Sequence, residues 1–223
     1  MMNKRGEIVD ELKSVISGKT LDAIFPPLVY ALVNSLFSLE VAAIAAVFVA
    51  IFIGIIRIAF KQTFKYAFGG FVAVLVAAAF AYLAGNAANY FLPRIISSAF
   101  LLLLTLGSLL AGKPVAAWAS HLTRGWSLKW YWRPDIKPAY VEVTWLWLMF
   151  LLMRFLIQIA LFMQADILRL TLANILLGMP LTIVVLILSY LYGIWRLKKL
   201  GGPGIEEFQQ DKIPPWKGQT RGF

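Results

Sequence analysis

The stretch VAAIAAVFVAIFIGIIRIAF, Val41–Phe60, holds a single charge, Arg57. About 20 consecutive apolar residues are what a helix needs to cross the ~30 Å hydrocarbon layer of a bilayer. The neighbouring segments repeat the pattern. Upstream lies residues 21–37, which is short and carries Phe25-Pro26-Pro27 near its start. Downstream come residues 64–84, 90–111, 140–164 and 167–196. The last of these contains Gly178-Met179-Pro180, and proline there kinks or splits a helix. The expected fold is therefore all-α: a polytopic membrane protein of six transmembrane helices at about 21–37, 41–60, 64–84, 90–111, 140–164 and 167–196.

Composition leads to the same class. The 223 residues are 61% hydrophobic and 14% charged, with a mean hydropathy of +0.77. Soluble domains are roughly 45–50% apolar and about a quarter charged. Too few polar residues remain to cover a water-facing surface, so the solvent must be lipid. This excludes a soluble enzyme, a nucleic-acid-binding domain and a secreted disulfide scaffold. The lack of cysteine removes thiol catalysis, thiolate metal sites and disulfides together.

The net charge of +10 is explained by where the cations lie. Lys4, Arg5, Lys13 and Lys19 precede the first span. Arg57, Lys61 and Lys65 join the second to the third. Lys113, Arg124, Lys129, Arg133 and Lys137 lie between the fourth and fifth. Arg196, Lys198, Lys199, Lys212, Lys217 and Arg221 follow the sixth. With six spans these all fall on one side, which the positive-inside rule makes cytoplasmic. Both termini are then expected in the cytoplasm, in a multi-pass protein of the inner cell membrane, with membrane lipids as its immediate partners and no nucleic acid. Other membrane proteins, or a second copy, are further candidate partners. The polar residues before Leu21 do not form a cleavable signal peptide, so the first span is expected to persist as an anchor.

Three segments lie outside the spans. Residues 1–20 place Ile8, Val9, Leu12, Val15 and Ile16 at helical spacing, as either a cytoplasmic amphipathic helix or a solvated arm. Residues 112–139 hold Trp118, Trp126, Trp130 and Trp132 among five cations. Single-stranded nucleic acid or lipid headgroups can meet such a pattern, and beside six spans the interfacial reading prevails. The tail 199–223, rich in glycine and proline with mixed charge, reads as disordered.

Polar residues inside the apolar runs are candidates for function. Arg154 sits mid-way along its span, where a cation costs on the order of 3 kcal/mol even on the lenient insertion scale. Gln158, one helical turn on, shares its face. Asn34, Arg94 and Asn174 complete a candidate polar pocket. The alternative for each is a hydrogen-bonded clamp between helices. Arg57, Lys61, Lys65 and Lys113 are candidate contacts to lipid headgroup phosphates. Asp166 and Arg169, three apart, cap and neutralise the start of the sixth span. His121 is the only histidine and has no metal-ligand neighbour in sequence. No nucleophile elbow, phosphate loop or zinc motif is present, so no catalytic, cofactor or metal residues are assigned and a non-enzymatic protein is expected.

Several features occur together in an order that resembles a family. They are Leu21-Asp22-Ala23-Ile24-Phe25-Pro26-Pro27-Leu28-Val29-Tyr30-Ala31-Leu32-Val33-Asn34, Arg57, Phe91-Leu92-Pro93, Gly112-Lys113-Pro114, Arg154 with Gln158, and Leu177-Gly178-Met179-Pro180. Over about residues 20–198 this resembles an actinobacterial six-span membrane family known only as a domain of unknown function. The outline is also distantly similar to septation protein A, through its proline-bearing first span and Lys113-Pro114. That likeness implies a role in cell-envelope or division-site organisation. The alternative is a small transporter or channel for a polar or anionic solute, with a pocket around Arg154.

Overall fold

The computed structural model describes residues 19–59, 64–220 and 222–223. The amphipathic arm and Lys61 lie outside the described residues, as do the side chains of Arg57 and Lys65. Among the described residues the chain is helical, without strands. The helices are α1 (Lys19–Leu36), α2 (Leu39–Ala59), α3 (Phe64–Leu83), α4 (Leu92–Leu110), α5 (Val115–Arg124), α6 (Leu128–Tyr131), α7 (Lys137–Met163), α8 (Ile167–Leu176), α9 (Met179–Leu200) and α10 (Ile205–Gln209). A 3-10 turn, Ala87–Phe91, precedes α4.

Among the described residues, four stretches are long and apolar enough to cross a membrane: Leu39–Ile56, Ala87–Leu110, Lys137–Met163 and Ile167–Leu200. Two of the expected spans correspond to shorter apolar helices, Ile24–Leu36 and Phe68–Leu83. They lie within α1 and α3, which at 18 and 20 residues rise about 27 and 30 Å.

The described residues divide into two compact units. One comprises those up to Ile96 together with Ile157–Met179, and the other Ser97–Leu156 together with Pro180–Phe223. In the first unit α2 packs against both α1 and α3, and α1 packs against α8. Ala42 and Ala46 are fully buried on α2. Small side chains at such a seam let backbones approach closely, which is how helices gain packing energy in lipid. Tyr30 on α1 is buried, stacks on Tyr90 with ring centroids 4.0 Å apart, and donates its hydroxyl to the Ala87 carbonyl at 2.9 Å. A buried tyrosine needs such an acceptor, and the 3-10 turn supplies it.

The expected sixth span is two helices. Alpha-helical structure stops at Leu176 and resumes at Met179. A Cβ on Gly178 would lie 2.5 Å from the Asn174 carbonyl oxygen, so only glycine fits the break. Pro180 is then the second residue of α9, within the first turn, where its missing N–H costs nothing. The sixth run is thus split at Gly178-Met179-Pro180, as expected. By contrast, α1 begins before Pro26 and Pro27 and carries both inside the helix.

In the second unit Phe150, Leu151 and Val185 pack with Leu102, Trp147 and Leu181, joining α4, α7 and α9. A larger cluster lies at one end of those helices. Trp130, Tyr131, Ile136, Tyr140 and Leu197 form its centre, with Trp126, Trp132, Phe208 and Phe223 packed around them. Trp130 is 0% exposed, so its ring packs inside the cluster. The tail is an ordered strap rather than a disordered segment. It supplies the carbonyl of Pro203 to Trp130 Nε1 at 2.9 Å and forms α10. Its glycines serve close packing, since a Cβ on Gly202 would meet the Asp135 carbonyl oxygen at 2.8 Å.

Candidate functional site

Two places hold polar groups that apolar packing does not explain. The first is inside the apolar helices. Gln158 on α7 and Asn174 on α8 are 0% and 1% exposed, and Gln158 Nε2 donates to Asn174 Oδ1 at 2.7 Å. Asn174 Nδ2 donates in turn to the Leu170 carbonyl one turn back, at 2.8 Å. Asp166 starts α8 by accepting the Arg169 amide at 2.9 Å and pairs with the Arg169 side chain at 3.3 Å. It thus caps and neutralises the hairpin that brings the two amides together. Gln158 Oε1 is buried and makes no hydrogen bond with the protein.

The other members of the expected polar pocket are Asn34, Arg94 and Arg154. Asn34 is half-buried on α1 and bonds to neither Gln158 nor Asn174. Arg94 is half-buried in the first turn of α4, four residues beyond Tyr90. Arg154 lies one turn before Gln158 on α7, and its Nε is buried without a hydrogen-bond partner in the protein. Of these five residues, Gln158 and Asn174 are hydrogen-bonded to each other. Of the expected headgroup contacts, Lys113 is exposed in the turn after α4.

The second place is the end of α7 and α9, a headpiece closed by the strap. Glu142 on α7 accepts two hydrogen bonds from Arg196 Nε and Nη2 on α9, at 2.7 and 2.8 Å. Tyr192 donates its hydroxyl to the same carboxylate at 2.7 Å. This two-pronged Arg–carboxylate contact fixes the register of α7 against α9.

Around that lock, the strap is held by backbone and rings. Phe223 stacks on Tyr140 with centroids 4.3 Å apart and planes 8° apart. It fills the space over Gly193, where a Cβ would overlap its ring. Arg124 Nε donates to the Phe223 carbonyl at 3.2 Å. Arg133 forms two bonds to Asp135, at 2.9 and 2.8 Å, and lies over the rings of Phe208 and Trp216. The Asp135 carboxylate holds the Arg133 guanidinium above its ordinary value. Within the strap, Glu207 accepts the amides of Gly204, Lys217 and Gly218 at 2.9, 2.8 and 3.1 Å. Those backbone donors keep its carboxyl below the ordinary carboxylate range. Burial pushes the Tyr131 hydroxyl up, and that hydroxyl donates to Ser120 Oγ at 2.9 Å. His121 Nδ1 lies 2.6 Å from the Trp126 carbonyl, which makes the chain's histidine part of the aromatic packing.

A family described as a protein of unknown function (DUF3159) matches residues 17–198. The chain belongs to that family. The match runs from α1 to the last turn of α9, so it contains the Gln158–Asn174 pair and the Glu142–Arg196 lock. The strap beyond Leu200 lies outside it. No curated protein and no solved structure matches the chain.

Proposed function

We propose that this chain is a six-span protein of the inner cell membrane, with both termini in the cytoplasm. In this reading it acts without catalysis, organising the cell envelope or division site through contacts with other membrane proteins or with a second copy. The observation that carries the reading is the headpiece. Its aromatic core is closed by the strap, while Leu122 and Ile213 stand 79% and 86% exposed on its surface. A packed platform with projecting apolar side chains and many cations suits recognition of a partner better than turnover of a substrate. The bias of Lys and Arg toward four segments supports the orientation, and the motif likeness to septation protein A supports the cellular role.

The test is deletion of the gene under envelope stress, together with cross-linking from position 122 or 213 in cells. Altered septation and a defined membrane-protein adduct are expected. Unchanged morphology with no adduct sinks the proposal. A reporter fused after Phe223 should be active only inside the cell.

A second reading has one observation in its favour, the unpartnered Nε of Arg154 deep in α7. A cation kept there without a protein acceptor suits a transporter or channel for a polar or anionic solute. In proteoliposomes Arg154→Leu should then abolish solute flux while the protein still folds. A variant that loses only thermal stability identifies Arg154 as a clamp.

A further inference from the structure

The hairpin of α2 and α3 carries a groove of about 410 Å³ on its surface. Glu40 and Tyr82 line it toward one end of the hairpin, Ala43, Ala78 and Ala79 line its middle, and Ile51 and Leu75 line it toward the other. Apart from Glu40 the lining side chains are apolar or aromatic. From Glu40 to Ile51 the helix rises about 16 Å, close to half of the ~30 Å hydrocarbon layer. The groove therefore begins at a carboxylate at one boundary of α2 and spans the depth of one leaflet.

A furrow of this kind inside hydrocarbon cannot stay empty without losing van der Waals contacts along both walls. Its length and lining fit an alkyl chain. Its charged end selects what that chain is attached to. The Glu40 carboxylate accepts the Ser38 hydroxyl at 2.8 Å, and among the described residues no cation pairs with it. By contrast, Asp166 pairs with Arg169 and Glu142 with Arg196. We propose that the α2–α3 groove binds one acyl chain of a phospholipid whose headgroup carries a primary ammonium, with that ammonium paired to Glu40. A carboxylate in the first turn of a helix also favours its own macrodipole. That local effect accounts for Glu40 on α2, but not for the leaflet-deep furrow beneath it.

The experiment uses the full chain in bilayers containing equal amounts of phosphatidylethanolamine and phosphatidylglycerol. Each lipid in turn carries a photoactivatable acyl chain, and labelled peptides are mapped by mass spectrometry. Wild-type protein should be labelled on α2 and α3 about fivefold more by the ethanolamine lipid. That ratio corresponds to roughly 1 kcal/mol for one partly exposed ion pair. Glu40→Gln should bring the ratio to about one while the protein still folds. Ala79→Leu, which places a larger side chain in the groove, should lower labelling by both lipids. If that variant fails to fold, the Glu40→Gln ratio alone decides. Equal labelling of the wild type by the two lipids, or an unchanged ratio in Glu40→Gln, overturns the proposal. A dimer cross-linked through α2 and α3 would assign the groove to a second copy and overturn it too.

Discussion

Trp130 in the headpiece and Gln158 inside the apolar helices are both fully buried, yet they reach that state by different means. The Trp130 indole N–H is satisfied by a backbone carbonyl of the strap, 73 residues away in sequence. Gln158 is satisfied on one side only, by another side chain across a short hairpin. The headpiece is thus built like the interior of a soluble domain, from rings, close glycines and backbone acceptors brought from distant segments. The membrane helices are built from local periodicity, with polar contacts such as the Gln158–Asn174 clamp between them. In water the first arrangement draws on the hydrophobic effect. In lipid that driving force between helices is absent, and packing with a few hydrogen bonds must suffice.

The most severe way to break the contrast is to remove the headpiece's central ring. Trp130→Ala deletes a buried aromatic side chain, for which about 3–5 kcal/mol is the usual cost. It also leaves the Pro203 carbonyl without its donor. Denaturant unfolding followed by tryptophan fluorescence should show that loss, and limited proteolysis should cut the released strap near residues 201–204. A loss below about 1 kcal/mol would mean that the rings do not form a core.

A smaller effect sharpens the other side. Gln158→Leu and Asn174→Leu each remove one partner of the clamp, and the double variant removes both. Intramembrane hydrogen bonds couple by about 0.6 kcal/mol on average and at most about 1.7. A double-mutant cycle on unfolding in bilayer mimetics should give a coupling in that range. Zero coupling would show that the bond contributes nothing beyond the packing of the two side chains.

The same difference decides what could be read from the sequence. Spans were legible because a long apolar run is a local signal, and both Gln158 and Asn174 stood out against it. Their pairing was also within reach, since they are equidistant in sequence from Asp166, where the hairpin turns. Asn34, Arg94 and Arg154 stood out equally, but polarity in an apolar run says that a residue needs a partner, not which one. The strap was misread because glycine and proline describe a chain without repetitive structure, ordered or not. At Gly193 and Gly202 the small residue exists to admit Phe223 and the Asp135 carbonyl. That requirement becomes visible only when segments distant in sequence meet. The Glu142–Arg196 lock, 54 residues apart, was hidden for the same reason.

The smallest expected effect is a pH dependence confined to the headpiece. Three backbone amides hold Glu207 in its charged form, so its carboxyl titrates lower in the folded strap than in an unfolded chain. A depressed folded value means that the unfolded state binds the proton first as pH falls. The contribution of Glu207 is therefore complete above its unfolded value of roughly 4.3 and fades as pH drops through the folded one. Glu207→Gln should lower strap stability at neutral pH and flatten this acid limb, as read by proteolysis rate at residues 201–204 between about pH 3 and 6. The Gln158–Asn174 clamp carries no titrating group, so its coupling should not change over the same range. If the clamp's coupling weakened in step with strap release, the two regions would not be energetically separate, and the contrast between them would fail.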